Sequence, residues 1–537
     1  MLKRIVFQEG THSFYGVLKI KIIYGTVSIF GATVSKGFSD IIFVPFHQLA
    51  IPIQSDKPFC IQFDEVQEKE IHLNELLYYN FTPDGFTQIL PFVYYSYGNK
   101  GPRYPKKLIK KINDILISNK SYRIYLYGGK GIGKSTLSNF LVNMLKSFPA
   151  SPEKFQDDDC LKEEEADNIK EKSQNNAQEE NQNNDQEDNL NPNQEENQSS
   201  NNNAESKYYH FLDDQSNDID DDDSNNDQIS NRKVAFVDFD PGQPEISLPT
   251  TVSYTEDCPF LFGSSEHHSC LAHEKYSLSS INISSISSNY SYSTFLIGKK
   301  FNQNNSSDKN ELVVINSHGW IEDIGFQLQI ETIKSMKPDL VICLYKNKDR
   351  PPRKINDNQF NVEIKPIREV VHLDPIHLRN IRFERYFMLK KDVNSVSCCL
   401  YQPISSMVPI PFPIKQFRYS FPGDTNIKRC ISQVPRVLNC SLISFCIDTS
   451  SYGKEEELLF SIVKPRVMKC CGFGFVRAVD VSKQVIYIIT PEDEEVLKHA
   501  NTIMYITSNL PPSFIRDSNR FYLPYNILGM APHFEGK

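Results

Sequence analysis

The stretch Gly128-Gly129-Lys130-Gly131-Ile132-Gly133-Lys134-Ser135-Thr136 constrains the fold of this 537-residue chain more than any other. It matches G-x-x-x-x-G-K-[ST] and has the flanks that the pattern needs: a strand-like RIYLY (123–127) before it and a helix-like STLSNFLVNMLKSF after it. Glycines let the backbone curl so that its N–H groups point inward at phosphate oxygens. The helix beginning near Lys134 adds its positive end. In such a loop Lys134 places a point charge between the β- and γ-phosphates, and the Ser135 hydroxyl ligates Mg²⁺. The expectation is an α/β core that binds a nucleotide triphosphate with Mg²⁺ at the carboxyl edge of a parallel sheet.

The rest of the middle region agrees. KKLIKKINDILI (106–117) puts Leu108, Ile109, Ile112, Ile115 and Leu116 on one helical face. VAFVDF (234–239), LVVIN (312–316) and LVICLY (340–345) are short apolar runs, with helix-like FQLQIETIKSM between the last two. Such runs suit a parallel sheet covered by helices on both faces. The first hundred residues read as strands cut by Gly16, Gly25 and Gly31, and the chain from about residue 393 returns to strand signals in VLNCSLISFCI, GFGFVRAVD and QVIYIIT. The division expected is an N-terminal β domain (1–100), a nucleotide-binding domain (101–390) and a mostly-β C-terminal domain (391–537).

A tract from about 151 to 231 interrupts the core. It is mostly Asn, Gln, Asp, Glu and Ser, too polar to offset its ordering entropy by burial, and it reads as disordered. One patch within it, KYYHFL (207–212), has the character to dock. Residues 157–230 hold 24 acidic side chains against four lysines, so a net charge of −9 leaves +11 on the remainder. A basic body attracts polyanions, although a charge spread this thinly is also ordinary. Serine-rich 277–293 and the short 302–310 read as loops.

Three further motifs fall where strands should open onto the ligand. Asp238 and Asp240 close the 234–239 run two residues apart, able to face one side of an extended chain. A carboxylate there can hold Mg²⁺ or take a proton from an attacking hydroxyl. Asn316-Ser317-His318-Gly319-Trp320 ends the next run, and its single tryptophan either stacks on a base or packs in the core. Arg379 and Arg382 share a helical face, either as a solvated basic stripe or as cations reaching over a triphosphate. His267, His268 and His273 near Cys258 and Cys270 have irregular spacing for zinc and read as loop histidines.

Twelve cysteines without C-x-x-C, an N-terminus lacking an apolar signal region, and apolar runs too short to cross a bilayer point to reduced thiols in an intracellular protein with no membrane partner. PKKLIKK (105–111) is basic enough for nuclear import but coincides with a helix expected to pack on the core.

Taken together, GGKGIGKST, VDFDPGQPEISLP, INSHGWIEDIGFQL and RNIRFERYF resemble the polynucleotide 5′-hydroxyl kinase family. That family includes nucleolar kinases of pre-ribosomal RNA processing and a related kinase-like subunit of the pre-mRNA cleavage factor. GTVSIFGATVS resembles its N-terminal β domain. GFGFVRAVDVSKQVIYIITP and ANTIMYITSNLPPSF resemble the C-terminal domain of the nucleolar branch. The resemblance implies transfer of the γ-phosphate of ATP, or of a related triphosphate, to the 5′-hydroxyl of an RNA or DNA end. Lys134 and Ser135, with Thr136 beside them, would belong to the phosphate loop, and Asp240 would be the metal-linked base with Gln243 in its motif. Asn316, Ser317, Gly319 and Trp320 would clasp substrate, and Arg379 and Arg382 would be lid arginines. Ser317 stands where the family has threonine, keeping the hydroxyl, and the acidic insert replaces a short connection.

The resemblance further implies a nuclear, nucleolar location and a partner endonuclease that leaves a 5′-hydroxyl at a pre-rRNA spacer. Two other readings stand beside it. One is an ATP-bound, non-catalytic scaffold of an RNA cleavage complex. The other is an NTPase switch, although the NKD after the 340–345 run lacks the N-K-x-D spacing of a GTPase.

Overall fold

A computed structural model describes residues 2–64, 85–118, 120–147, 208–212, 233–303, 311–346, 353–364, 373–388, 404, 407–422, 433–449, 459–511 and 514. The disorder expected of 151–231 falls outside them, apart from residues 208–212.

The N-terminal strands are β1 (Leu2–Phe7), β2 (Gly10–Tyr24), β3 (Val27–Ile29), β4 (Ala32–Val34), β5 (Ser39–Val44), β6 (Ile51–Ser55), β7 (Phe59–Asp64), β8 (Thr87–Leu90) and β9 (Val93–Tyr97). The long β2 pairs antiparallel with β5, β6, β7 and β9 and organises the sheet. Phe7, Phe14, Phe59, Phe63 and Tyr95 fill its core. The docking patch does dock. Residues Tyr209–Leu212 form β11, antiparallel on the outer edge of β1. The Gln8 amide donates to Tyr208 O at 2.9 Å, and Tyr208 stacks on Tyr97 at 3.6 Å and 6°.

The second sheet begins with β10 (Tyr122–Gly128), β12 (Val234–Asp238), β15 (Leu312–Asn316), β16 (Leu340–Lys346) and β17 (Gln359–Ile364). These lie parallel in the order β17-β16-β10-β15-β12. Beyond β12 the sheet turns antiparallel through β13 (Thr251–Thr255) and β14 (Glu274–Ser277). It then runs on without a break into the C-terminal strands through β22 (Met468–Asp480), where Tyr276 faces Lys469. A purely parallel sheet was the expectation; the observed one is mixed.

Successive side chains of β10 explain the two helical layers, because alternate residues point to opposite faces. Ile124 and Leu126 meet α1 (Lys106–Ser118) and α2 (Lys134–Lys146) through Leu108, Ile112, Leu137 and Leu141. Tyr125 and Tyr127 meet α3 (Ser287–Gln303) and α4 (Asp323–Met336) through Tyr290, Ile297, Leu328 and Ile333.

The start of α3 corrects the loop expected over 277–293. Tyr290, Ser293, Thr294, Ile297 and Phe301 are buried at helical spacing. The hydroxyls that suggested a loop donate back into the helix, Ser293 Oγ to Tyr290 O at 2.7 Å and Thr294 Oγ1 to Ser291 O at 2.9 Å. The expected loop at 302–310 likewise begins inside α3, and residues 304–310 lie outside the description. Helix α5 (Pro375–Met388) carries the arginine motif. VLNCSLISFCI opens with the end of the short helix α6 (Val434–Leu438) before its strand at Leu442–Ile447. Among the described residues no helix is long and apolar enough to cross a membrane.

Candidate active site

The glycine-rich loop leaves β10 at Gly128, whose φ of +149° lies outside the range of ordinary side chains. A Cβ there would stand 2.6 Å from Leu344 O on neighbouring β16, so the tight exit needs glycine. Ile132 is buried in the core beneath α2, leaving the loop its backbone amides rather than that side chain. Lys130 is exposed, and α2 begins at Lys134. Lys134 is buried, and its Nζ donates to Gly128 O at 3.0 Å and Gly129 O at 2.9 Å. Burial pushes its pKa down to about 8, while the charges of Asp240 and Asp238 hold it up.

Those two carboxylates come from the end of β12, every residue of which is buried. Asp238 Oδ1 accepts from the Asp240 amide and from Asn316 Nδ2, both at 3.1 Å, and its Oδ2 accepts from the Glu245 amide. Burial, with the nearby charges of Asp240 and Glu245, pushes Asp238 up to about 7 against the pull of its two amide donors. Asp240 Oδ1 accepts from the Gly242 amide at 2.9 Å and the Gln243 amide at 3.2 Å. This turn fixes the carboxylate at the strand's end. Gln243 thus contributes its main chain to holding Asp240.

Asn316 lies beside Asp238 in the parallel register of β15 and β12, and its Nδ2 also reaches Ser135 Oγ at 3.4 Å. Three strand ends therefore bring a hydroxyl and a carboxylate to one amide. Ser135, Asp238 and Asp240 are hard oxygen donors gathered at one strand edge. The set fits Mg²⁺.

The following residues close against the loop. Gly319 sits so near the phosphate loop that a Cβ would lie 2.7 Å from Lys130 Cα. Ser317 is buried and donates to His318 O at 3.3 Å. His318 is held to about 3, first by burial and then by the charge of Lys134, so its ring is neutral. Its Nδ1 accepts from the Trp320 amide at 3.1 Å, which assigns the proton to Nε2. Trp320 is half-buried, its indole lying flush on Gly325 of α4, where no Cβ would fit.

Arg379 and Arg382 diverge. Arg379 is half-buried; burial lowers its pKa, and the charges of Asp374 and Asp240 oppose that. Arg382 is buried with Nη2 on Ser265 Oγ, its Nε and Nη1 unpartnered, and its charge felt by Glu245. Arg385 lies over the Phe43 ring at 5.2 Å. The charge of Asp240 thus acts on Arg379, while the next two arginines dock the helix.

Sequence reasoning missed Glu245. It is buried and accepts from Asn139 Nδ2 of α2 at 2.8 Å, with His268 Nδ1 also at 2.8 Å; His268 Nε2 meets Phe262 O at 2.9 Å. Burial alone would raise Glu245, but the hydrogen bond and charge of His268, with Arg382 and Asn139, hold it below the usual range. The signal was an acid five residues past Asp240 in the same turn-rich stretch. His268 is thus a buried anchor within the loop expected for it, and His267 stacks on Phe43 at 4.0 Å.

Residues 225–388 match the family model described as mRNA cleavage and polyadenylation factor CLP1 P-loop, a match that begins after the glycine-rich loop. Residues 407–511 match the model described as NOL9-like, C-terminal domain. The polynucleotide 5′-hydroxyl-kinase NOL9 of Arabidopsis thaliana is 24% identical over 324 residues, 55% of this chain and 84% of that protein. The polyribonucleotide 5′-hydroxyl-kinase of Pyrococcus furiosus is 24% identical over 283 residues, 49% of this chain and 75% of its own. In fold, the chain is similar to Clp1p in its complex with Pcf11p, with a TM-score of 0.50 and 12% identity over 95% of this chain and 98% of that one.

Proposed function

We infer, from the premise that this chain belongs to the polynucleotide 5′-hydroxyl kinase family and is a kinase, that it transfers the γ-phosphate of ATP to the 5′-hydroxyl of RNA. The observation that carries the reading is the placement of Asp240. Its carboxylate is fixed by two backbone amides, and its charge is felt by both Lys134 in the loop and Arg379 on α5.

In this reading the triphosphate displaces Lys134 Nζ from the two loop carbonyls and takes its charge. Asp240 accepts the proton of the 5′-hydroxyl as that oxygen attacks the γ-phosphorus in line. Arg379 neutralises negative charge spreading onto the transferred group. Asn316 holds Asp238 and Ser135 in register, and Trp320 offers its exposed edge to the acceptor nucleotide. Mg²⁺, bound through Ser135 and the Asp238–Asp240 pair, would supply further charge neutralisation on the phosphates. No covalent intermediate is needed, so rate comes from positioning and fixed charge.

Similarity to a Pyrococcus furiosus protein named a polyribonucleotide 5′-hydroxyl-kinase supports RNA as the acceptor. The NOL9-like C-terminal match favours work on pre-ribosomal spacer ends, in the nucleolus and beside the endonuclease that creates them. The division into domains at 1–100, 101–390 and 391–537 remains part of the proposal. The deciding assay incubates the purified chain with γ-labelled ATP, Mg²⁺ and a 5′-hydroxyl RNA. Label should appear on the RNA with wild type and vanish with Lys134→Ala. A wild-type protein that binds RNA and ATP but labels nothing would instead be a scaffold, and one that releases only free phosphate would be an NTPase.

A further inference from the structure

We propose that Tyr292 and Phe295, on the outer face of α3, form a stacking platform for the bases of single-stranded RNA that follow the phosphorylated 5′ end; the choice of occupant rests on the kinase reading above.

The direction of α3 puts the pair at the right edge of the sheet. Near its start, Tyr290 donates its hydroxyl to Phe239 O at 3.0 Å and meets the His318 ring edge-on at 5.2 Å. Both partners follow directly from the carboxyl ends of β12 and β15. Near its end, Phe301 O accepts from Arg123 at the start of β10, at 2.7 Å. The helix therefore runs from the edge holding Lys134 and Asp240 back to the opposite edge. Tyr292 and Phe295 lie about 3 and 8 Å along the axis from Tyr290, within the first turns at the catalytic edge. They stand on the same face of the sheet as α4 and Trp320, opposite the phosphate-loop helix.

Nothing in the fold needs these two rings. The buried face of α3 is made by Tyr290, Ser293, Thr294, Ile297, Gly298 and Phe301. Tyr292 is 53% and Phe295 52% exposed, and among the described residues they are the two aromatic rings in the set of large, exposed apolar side chains. Their rings lie 6.3 Å apart and within 24° of parallel, so a flat base can pack on either. Two open aromatic faces on one helix mark a contact surface.

Charge selects the occupant. Lys299 continues the stripe one turn past Phe295 and is exposed. On the other flank the ammonium of Lys469 is held by Glu274 at 2.8 Å, so the cation of the stripe is Lys299. Aromatic faces with a lysine in the same stripe suit a sequence-tolerant single-strand site, with rings for bases and the cation for a phosphate. An apolar protein partner would have no use for that lysine.

The test measures binding first, without turnover. Fluorescence anisotropy follows a labelled 5′-hydroxyl RNA of about ten nucleotides, a length within the span of such sites. The Tyr292→Ala/Phe295→Ala variant should bind about five- to a hundredfold more weakly, with the salt slope unchanged. Tyr292→Phe should keep wild-type affinity, and Lys299→Ala should lower the salt slope by about one. In turnover, the double variant should raise KM for the long RNA and leave kcat on a dinucleotide acceptor unchanged. Wild-type affinity in the double variant overturns the platform, including the case in which it loses only a protein partner. If the wild-type protein labels no acceptor, the kinase reading fails while the binding measurement still decides the platform.

Discussion

The side-chain amide of Asn316 reaches Asp238 Oδ1 at 3.1 Å, and the same nitrogen lies 3.4 Å from Ser135 Oγ. One neutral donor thus ties the strand-end carboxylate to the phosphate-loop hydroxyl. The geometry follows from register: Asn316 faces Asp238 on one side of β15 and Leu126 on the other. Asn316→Ala removes the tie and leaves Asp238 with amide donors alone. Outer-shell partners of metal ligands typically contribute ten- to a hundredfold. The Mg²⁺ concentration for half-maximal labelling of a 5′-hydroxyl RNA should rise by about that factor, with the melting temperature little changed.

Lys134 carries a pH dependence of a definite sign. Burial lowers its folded pKa to about 8 from an ordinary 10.5. A lysine lowered in this way stabilises the folded chain above the ordinary value and loses that contribution as pH falls through about 8. A bound phosphate demands the ammonium form. The affinity for ADP, titrated without metal, should fall by up to tenfold per pH unit as pH rises above 8. Lys134→Ala should bind weakly at every pH, and an equally steep fall in that variant would place the titration elsewhere.

Legibility in the sequence followed locality. The phosphate loop, Asp240 and Asn316 are readable because each sits at a strand end, and strand ends of a parallel sheet converge without further information. The platform helix was misread because its serines and threonine satisfy themselves inside the helix, which composition does not reveal. Arg379 and Arg382 look equivalent at i and i+3, yet they separate because Ser265 and Glu245 come from a distant loop that captures the second. Gly325 gave no signal at all: its role is to leave room for Trp320, a contact that exists only once α4 folds back. The continuous sheet from β14 into β22 was equally hidden, since pairing between distant strands is not written in either one.

The divergence of the arginines separates two phenotypes. The charge of Asp240 acts on Arg379, so Arg379→Ala should lower kcat on the order of a thousandfold, as loss of a charge-neutralising arginine does, with melting temperature kept. Arg382 is buried against Ser265 near Glu245, so Arg382→Ala should first lower the melting temperature and act on kcat more weakly. Measuring both variants by calorimetry and by initial-rate labelling settles the assignment. Equal loss of kcat at unchanged melting temperature would return Arg382 to the reacting centre.

The C-terminal strands also reach the lid. Tyr386 lies seven residues after Arg379, two turns along α5, so both look the same way. Its buried hydroxyl donates to Glu492 and accepts from the Phe473 amide on β22 at 3.0 Å. Phe387 adds an edge-on contact with Phe514 at 5.0 Å. The helix that presents Arg379 is therefore clamped at its far end by the C-terminal continuation of the sheet. Tyr386→Phe leaves a carboxylate and an amide without their shared hydroxyl, a cost of about 1–3 kcal/mol. If the clamp positions Arg379, kcat should fall about tenfold or more while KM for ATP, set by the phosphate loop, stays within twofold, roughly the scatter of such comparisons. Combined with Arg379→Ala, it should add almost nothing to the loss in kcat, because the positioned group is already gone. Full additivity of the two would show that Tyr386 serves stability alone.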